Sequence, residues 1–138
     1  MTEPSSIRPD QPGVGTILVV DDSAMMRAMI KRALALTGLP IGEICEAADG
    51  QKALEVLTER HVDALFTDIN MPVMTGIELL ERIDGDRRWQ DLVRVVISTD
   101  GSAARRGAAG ALHVRFYVEK PFRPEVMRDV LSSLTGAR

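Results

Sequence analysis

The chain has 138 residues, a length suited to one domain, and a hydrophobic content of 45% that supplies one core and lies outside the disordered range. Its net charge of −3, from 17 basic and 20 acidic residues, argues against direct binding to a nucleic-acid backbone. The one cysteine, Cys45, has no internal disulfide partner, which fits a cytoplasmic location. No apolar run approaches the roughly 18 residues of a membrane span, so no membrane association is expected.

Residues 1–15 are polar, rich in Pro and Ser, and lack the apolar stretch of a signal peptide. They read as a flexible N-terminal tail, with the folded domain over residues 16–138. The first strand is predicted over residues 16–20, and its run Ile17-Leu18-Val19-Val20 suits a strand covered on both faces. A first helix starts at a Ser23 cap and runs to about residue 37, with Met26, Ile30, Ala33 and Leu34 facing the sheet. Gly38 and Pro40 stop it.

A second strand follows over residues 43–47, with Cys45 a core position. Asp49 caps a second helix with an Ala53, Leu54 and Leu57 stripe. The third strand covers residues 63–67, and the loop 68–75 leads to a third helix with Ile77, Leu80 and Ile83. Trp89 falls in the polar stretch after it and reads as a partly exposed packing residue. The fourth strand covers residues 94–97. The fourth helix, over 102–109, has the weakest apolar periodicity, and Arg105-Arg106 reads as a solvated face. A fifth strand over 116–118 precedes a fifth helix from Pro124 to about residue 134, with Val126, Val130, Leu131 and Leu134 inward.

Short apolar strands alternating with amphipathic helices predict a doubly wound α/β fold: five βα units, a parallel five-stranded sheet, and helices on both faces in three layers. In such sheets ligands bind beyond the carboxyl ends of the strands. Asp21 and Asp22 end the first strand, Asp68 follows the third, Ser98 the fourth and Lys120 the fifth. Carboxylates there are costly unless paired. Converging with one ammonium group, they suit a small hard cation and an anion. Magnesium needs only one or two carboxylates plus waters and a phosphate. Asp22 and Asp68 can supply the carboxylates, Asp21 can hold a metal-bound water, and the backbone carbonyl of Asn70 can add an oxygen. One aspartate can also serve as a phosphoryl nucleophile, because such transfer requires positioning and charge neutralisation above all.

Val20-Asp21-Asp22-Ser23, Thr67-Asp68-Ile69-Asn70-Met71-Pro72, Ile97-Ser98-Thr99 and Val118-Glu119-Lys120-Pro121-Phe122 together resemble the receiver domain of response regulators over about residues 16–134. The resemblance implies a flavodoxin-like strand order 2-1-3-4-5 and a cis Lys120–Pro121 bond. It implies Asp68 as phosphoacceptor, Asp21 and Asp22 as the acidic pair for Mg2+, Lys120 as the phosphate-contacting lysine, and Ser98 as the switch hydroxyl. Tyr117 is implied as the switch aromatic, outward at rest and inward when Ser98 moves. Asn70 and Asp100, each two residues beyond a site residue, form a polar pair like that of receivers with short-lived phosphates. The stretch Asp21 to Arg27 is most similar to stand-alone chemotaxis receivers.

The resemblance further implies a switch and not an enzyme. A histidine kinase or histidine phosphotransfer protein donates to Asp68, and a target protein reads the surface of the fourth helix, fifth strand and fifth helix. The protein is expected to be a monomer or weak dimer, with no DNA-binding segment following. The alternatives are a receiver belonging to a larger transcription factor or hybrid kinase, an aspartyl-phosphate phosphohydrolase, and a receiver that binds partners without phosphorylation. Phosphohydrolases of that kind carry a second acid two residues after the nucleophile, where this chain has Asn70. The departures from the family lie in the fourth helix and in the segment Ala111-Leu112-His113-Val114-Arg115. His61 and His113 receive no metal or acid–base role.

Overall fold

Alternation along the strands decides the architecture. In the computed structural model, which describes residues 14–135, Ile17 and Val19 of strand β1 (Val14–Val20) face one side of the sheet, and Leu18 and Val20 face the other. Strand β3 (Ala64–Thr67) repeats this with Ala64 and Phe66 against Leu65, and β4 (Val93–Ser98) with Val95 and Ile97 against Val96. A strand apolar on both faces needs helices on both faces. One layer is α1 (Ala24–Leu36) and α5 (Pro124–Thr135), which bury Ile30, Leu34, Met127, Val130 and Leu131. The other is α2 (Gly50–Glu59), α3 (Gly76–Asp84) and α4 (Ala103–Ala111), which bury Ala53, Leu57, Leu79, Leu80, Ile83 and Ala109. Each fully buried leucine or isoleucine contributes about 1.5–3 kcal/mol, so the two layers share the stabilisation.

With β2 (Ile41–Ala47) and β5 (Phe116–Glu119) at the edges, the sheet is parallel in the order β2-β1-β3-β4-β5, the three-layer flavodoxin-like arrangement that the sequence predicts. Its register places the site. Val20 is level with Thr67, so Asp21 and Asp68 leave neighbouring strands at the same height. Thr67 is level with Val96, and Ser98 with Glu119, so Ser98 and Lys120 emerge beside them.

Three expectations change. Strand β1 begins at Val14, because Val14 already pairs with Ile41 and donates to the Pro40 carbonyl at 3.2 Å. The expected tail otherwise lies outside the described residues. On α5 the inward stripe is Met127, Val130, Leu131 and Leu134; Val126 is 37% exposed. The i, i+3, i+4, i+7 pattern starts at Met127, and starting it one residue early rotates the face by about 100°. Cys45 is half-buried, since β2 is an edge strand covered less fully than the centre. Trp89 sits in a 3-10 turn (Arg87–Trp89), half-buried, its indole donating to the Leu57 carbonyl at 3.3 Å.

The loop after β3 contains strain. Val73 has φ 69°, and Met74 N–H donates to the Pro72 carbonyl at 2.7 Å around it, a tight turn that a β-branched residue resists. Val73 is 80% exposed, so it gains little burial in return. Val73→Asn, a residue that tolerates this conformation, should stabilise by about 1 kcal/mol. A thermal melt should show a midpoint higher by about 4 °C; an unchanged or lower midpoint contradicts the strain.

Candidate functional site

Asp21 and Asp68 are each fixed by the backbone around them. Asp21 is 2% exposed. Its Oδ1 accepts the Ser23 N–H at 2.9 Å, and Ser23 then caps α1 by accepting the Met26 N–H at 3.1 Å. Arg27, one turn into α1, donates from Nη1 to the Asp21 carbonyl at 2.6 Å and from Nε to Glu46 at 2.8 Å, tying the acidic turn to β2. Asp68 donates its N–H to the Val20 carbonyl at 2.9 Å, and its Oδ1 accepts the Ile69 N–H at 2.6 Å. Lys120 follows β5, its N–H on the Ser98 carbonyl at 2.9 Å, ahead of a cis bond to Pro121.

The ends of β1, β3 and β5 meet. Lys120 Nζ donates to Asp21 Oδ2 at 2.8 Å and to Asp68 Oδ2 at 3.1 Å, and its side chain is only 9% exposed. Burial opposes the ammonium charge, yet the hydrogen bonds to Asp21 and Asp68 outweigh it and hold the Lys120 pKa above its ordinary value. A raised pKa means stability fully present below the unfolded-chain value, about 10.4, and lost only as pH climbs through the higher folded value. The lysine is therefore a fixed cation at neutral pH.

Asp21, Asp22 and Asp68 each present a carboxylate oxygen within 4.8 Å of the other two. Asp22 is exposed and has no hydrogen-bond or ion-pair partner among the described residues. Three carboxylates against one ammonium leave two negative charges, and the all-oxygen donor set fits magnesium. The unpartnered carboxylate of Asp22 is the observation that most favours a bound cation. Asn70 is exposed on the same loop as Asp68.

Ser98 is fully buried, its Oγ accepting the Asp100 N–H at 3.1 Å. Tyr117 lies half-buried, neither extended into solvent nor sealed in, and its hydroxyl donates to the Asp100 carbonyl. Burial, reinforced by the Asp100 charge, pushes the Tyr117 phenol upward, so it remains a donor at neutral pH. Asp100 is held below the usual carboxylate range by hydrogen bonds from Ser102 and by Arg105.

Several supporting residues escape a reading of motifs. Gly76 opens α3 with its N–H on the Ile69 carbonyl at 2.7 Å, and a Cβ there would overlap the Asp68 carbonyl. The obstruction is backbone, so Gly76→Ala should cost about 1–3 kcal/mol and displace Asp68. Urea unfolding checks the first effect and phosphoryl labelling the second; a wild-type midpoint contradicts the contact. At the opposite end of the sheet Arg94 is a buried strand arginine, bonded to Asp84 at 3.0 Å and to the Leu112 carbonyl at 2.9 Å. His113 reaches the same Asp84 oxygen at 2.8 Å, and His61 bonds Asp63 at 2.9 Å. Only a signal for close approach or for a paired buried charge could have found Gly76 and Arg94, and neither leaves a pattern in one sequence.

The doubly wound sheet, with acids and a lysine gathered at its carboxyl edge, defines a receiver-type signalling domain. Residues 17–132 match the model of the response regulator receiver domain, and the chain belongs to that family. It is 36% identical over 121 residues to a chemotaxis protein CheY homolog of Campylobacter jejuni, covering 87% of this chain and 92% of that one. Identity to the chemotaxis protein CheY1 of Helicobacter pylori is also 36%, covering 87% and 96%. The structure of the Vibrio cholerae chemotaxis protein CheY4 superposes with a TM-score of 0.76 at 29% identity, over 86% of this chain and 97% of that one. Among the described residues no helix is long and apolar enough to cross a membrane.

Proposed function

We propose that the protein is a phosphorylation-controlled switch in two-component signalling, with Asp68 as the phosphoacceptor. The observation that carries this is the Lys120 ammonium shared between Asp21 and Asp68, beside an unpartnered Asp22.

A carboxylate oxygen of Asp68 attacks the phosphorus of a phosphohistidine on a kinase or phosphotransfer protein. The N–P bond breaks, the imidazole leaves with its electron pair, and an acyl phosphate forms. Lys120 is placed to neutralise one phosphoryl oxygen, and the transition state requires such neutralisation above all. Mg2+, held by Asp22 and Asp68 with the Asn70 carbonyl and with Asp21 orienting its water, would supply the remaining positive charge. Ser98 donates to a phosphoryl oxygen after leaving the Asp100 N–H. That departure frees Tyr117 and reshapes the face of α4, β5 and α5, where a target protein docks as the equilibrium shifts. Water returns Asp68 and inorganic phosphate, and the polar pair Asn70 and Asp100 keeps its path open. The similarity to chemotaxis proteins favours a role in chemotaxis. The protein acts as a switch that assists only its own phosphorylation and dephosphorylation.

Incubation with acetyl phosphate and magnesium should label wild-type protein, while Asp68→Asn should reduce labelling at least about 100-fold with the fold intact by circular dichroism. Undiminished labelling of the variant moves the acceptor elsewhere and ends this reading.

A further inference from the structure

Helix α4 is held to the sheet by little that is apolar. Its sequence, AARRGAAGA, buries only Ala109, and a Cβ on Gly107 or Gly110 would meet nothing within 4 Å. Two glycines also lower its intrinsic helicity. Its position must be set by something other than a hydrophobic seam.

Arg106 supplies it. Its Nη2 donates to Glu119 Oε1 at 2.9 Å, its Nε donates to the Gly101 carbonyl at 3.2 Å, and its guanidinium carbon stands 4.7 Å from the centroid of the Tyr117 ring. One side chain thus bridges the β4–α4 loop, the end of β5 and the Tyr117 ring. Gly101 makes room for the arrangement, since a Cβ there would overlap the Glu119 carboxylate. Beyond the ring, the Tyr117 hydroxyl bonds the Asp100 carbonyl, and the Asp100 N–H bonds Ser98. Contacts therefore run without a break from the buried Ser98 hydroxyl to α4, through Arg106.

We propose that Arg106 is a positioning residue, a guanidinium latch on Tyr117, Glu119 and Gly101 that fixes α4 in the unphosphorylated arrangement. It rests on the reading of Ser98 and Tyr117 as switch residues. When Ser98 leaves the Asp100 N–H, the 98–102 loop shifts, and Arg106 loses the ring and the Gly101 carbonyl together. Helix α4, lacking an apolar seam, is then free to move. A planar fork and a stacking face are both required, so lysine is a poor substitute.

Amide hydrogen exchange on the full chain tests this. Arg106→Ala should speed exchange in residues 103–111 about tenfold, the change expected when an exposed ion pair and a cation–π contact are lost together. Amides of β1 and β3 should exchange as in wild type. Before any phosphodonor is added, the Tyr117 ring resonance should move part of the way toward its position in wild type with magnesium and acetyl phosphate. Arg106→Lys should recover the wild-type exchange only in part, and Gly101→Ala, which displaces Glu119, should resemble Arg106→Ala. Wild-type exchange in 103–111, equal acceleration in the central strands, or an unmoved Tyr117 resonance overturns the latch. Loss of the phosphoacceptor reading would show as absent labelling of Asp68, while the exchange comparison needs no phosphodonor, so the two failures are distinguishable.

Discussion

Replacing Lys120 with alanine is expected to damage folding and phosphoryl transfer at once. Its ammonium is the partner of Asp21, which is 2% exposed, and of Asp68. Removing one member of a buried pair leaves the other charge desolvated, at a cost of about 3 kcal/mol. The transition state loses a preorganised cation as well, and such groups are worth about 100- to 1,000-fold in rate. Urea unfolding without metal should show the first effect and the rate of labelling by acetyl phosphate the second. A stability loss under about 0.5 kcal/mol would mean that the lysine acts as a surface charge.

Magnesium should stabilise the protein, and Asp22 should decide how much. At a concentration 100 times its dissociation constant, a ligand that binds only the native state adds about 2.7 kcal/mol, a rise of several degrees in Tm. Asp22→Ala should remove most of that rise. Without metal the same substitution should act in the opposite direction. It relieves repulsion among carboxylates within 4.8 Å of one another, though the exposure of Asp22 limits the gain to about 1 kcal/mol or less. A thermal melt of wild type and variant, with magnesium and with chelator, reads both signs. Equal magnesium shifts in the two proteins would place the ion elsewhere.

Much of this was legible in the sequence because it is local. Unbroken apolar runs marked central strands, Ser23 and Asp49 marked helix starts, and Asp21, Asp22, Asp68, Ser98 and Lys120 each ended a strand. The rule that ligands gather beyond the carboxyl ends of parallel strands then brought them together. What stayed hidden depends on contacts through space. Val126 and Met127 are equally apolar, and Met127 is the one that docks on the sheet with Val130, Leu131 and Leu134. Arg94 reads as a strand residue, and its burial is tolerable only because Asp84 and the Leu112 carbonyl reach it. Arg105-Arg106 reads as a solvated face, yet Arg106 ties α4 to the loop before it at Gly101 and to β5 at Tyr117 and Glu119.

The most direct test is a crystal structure grown with magnesium and beryllium fluoride, an analogue of the phosphoryl group. The account predicts beryllium bonded to a carboxylate oxygen of Asp68, magnesium on Asp22, Asp68 and the Asn70 carbonyl, and the Lys120 ammonium and Ser98 hydroxyl donating to the fluorides. An adduct on another carboxylate, or a metal ion bound away from Asp22 and Asp68, would contradict it.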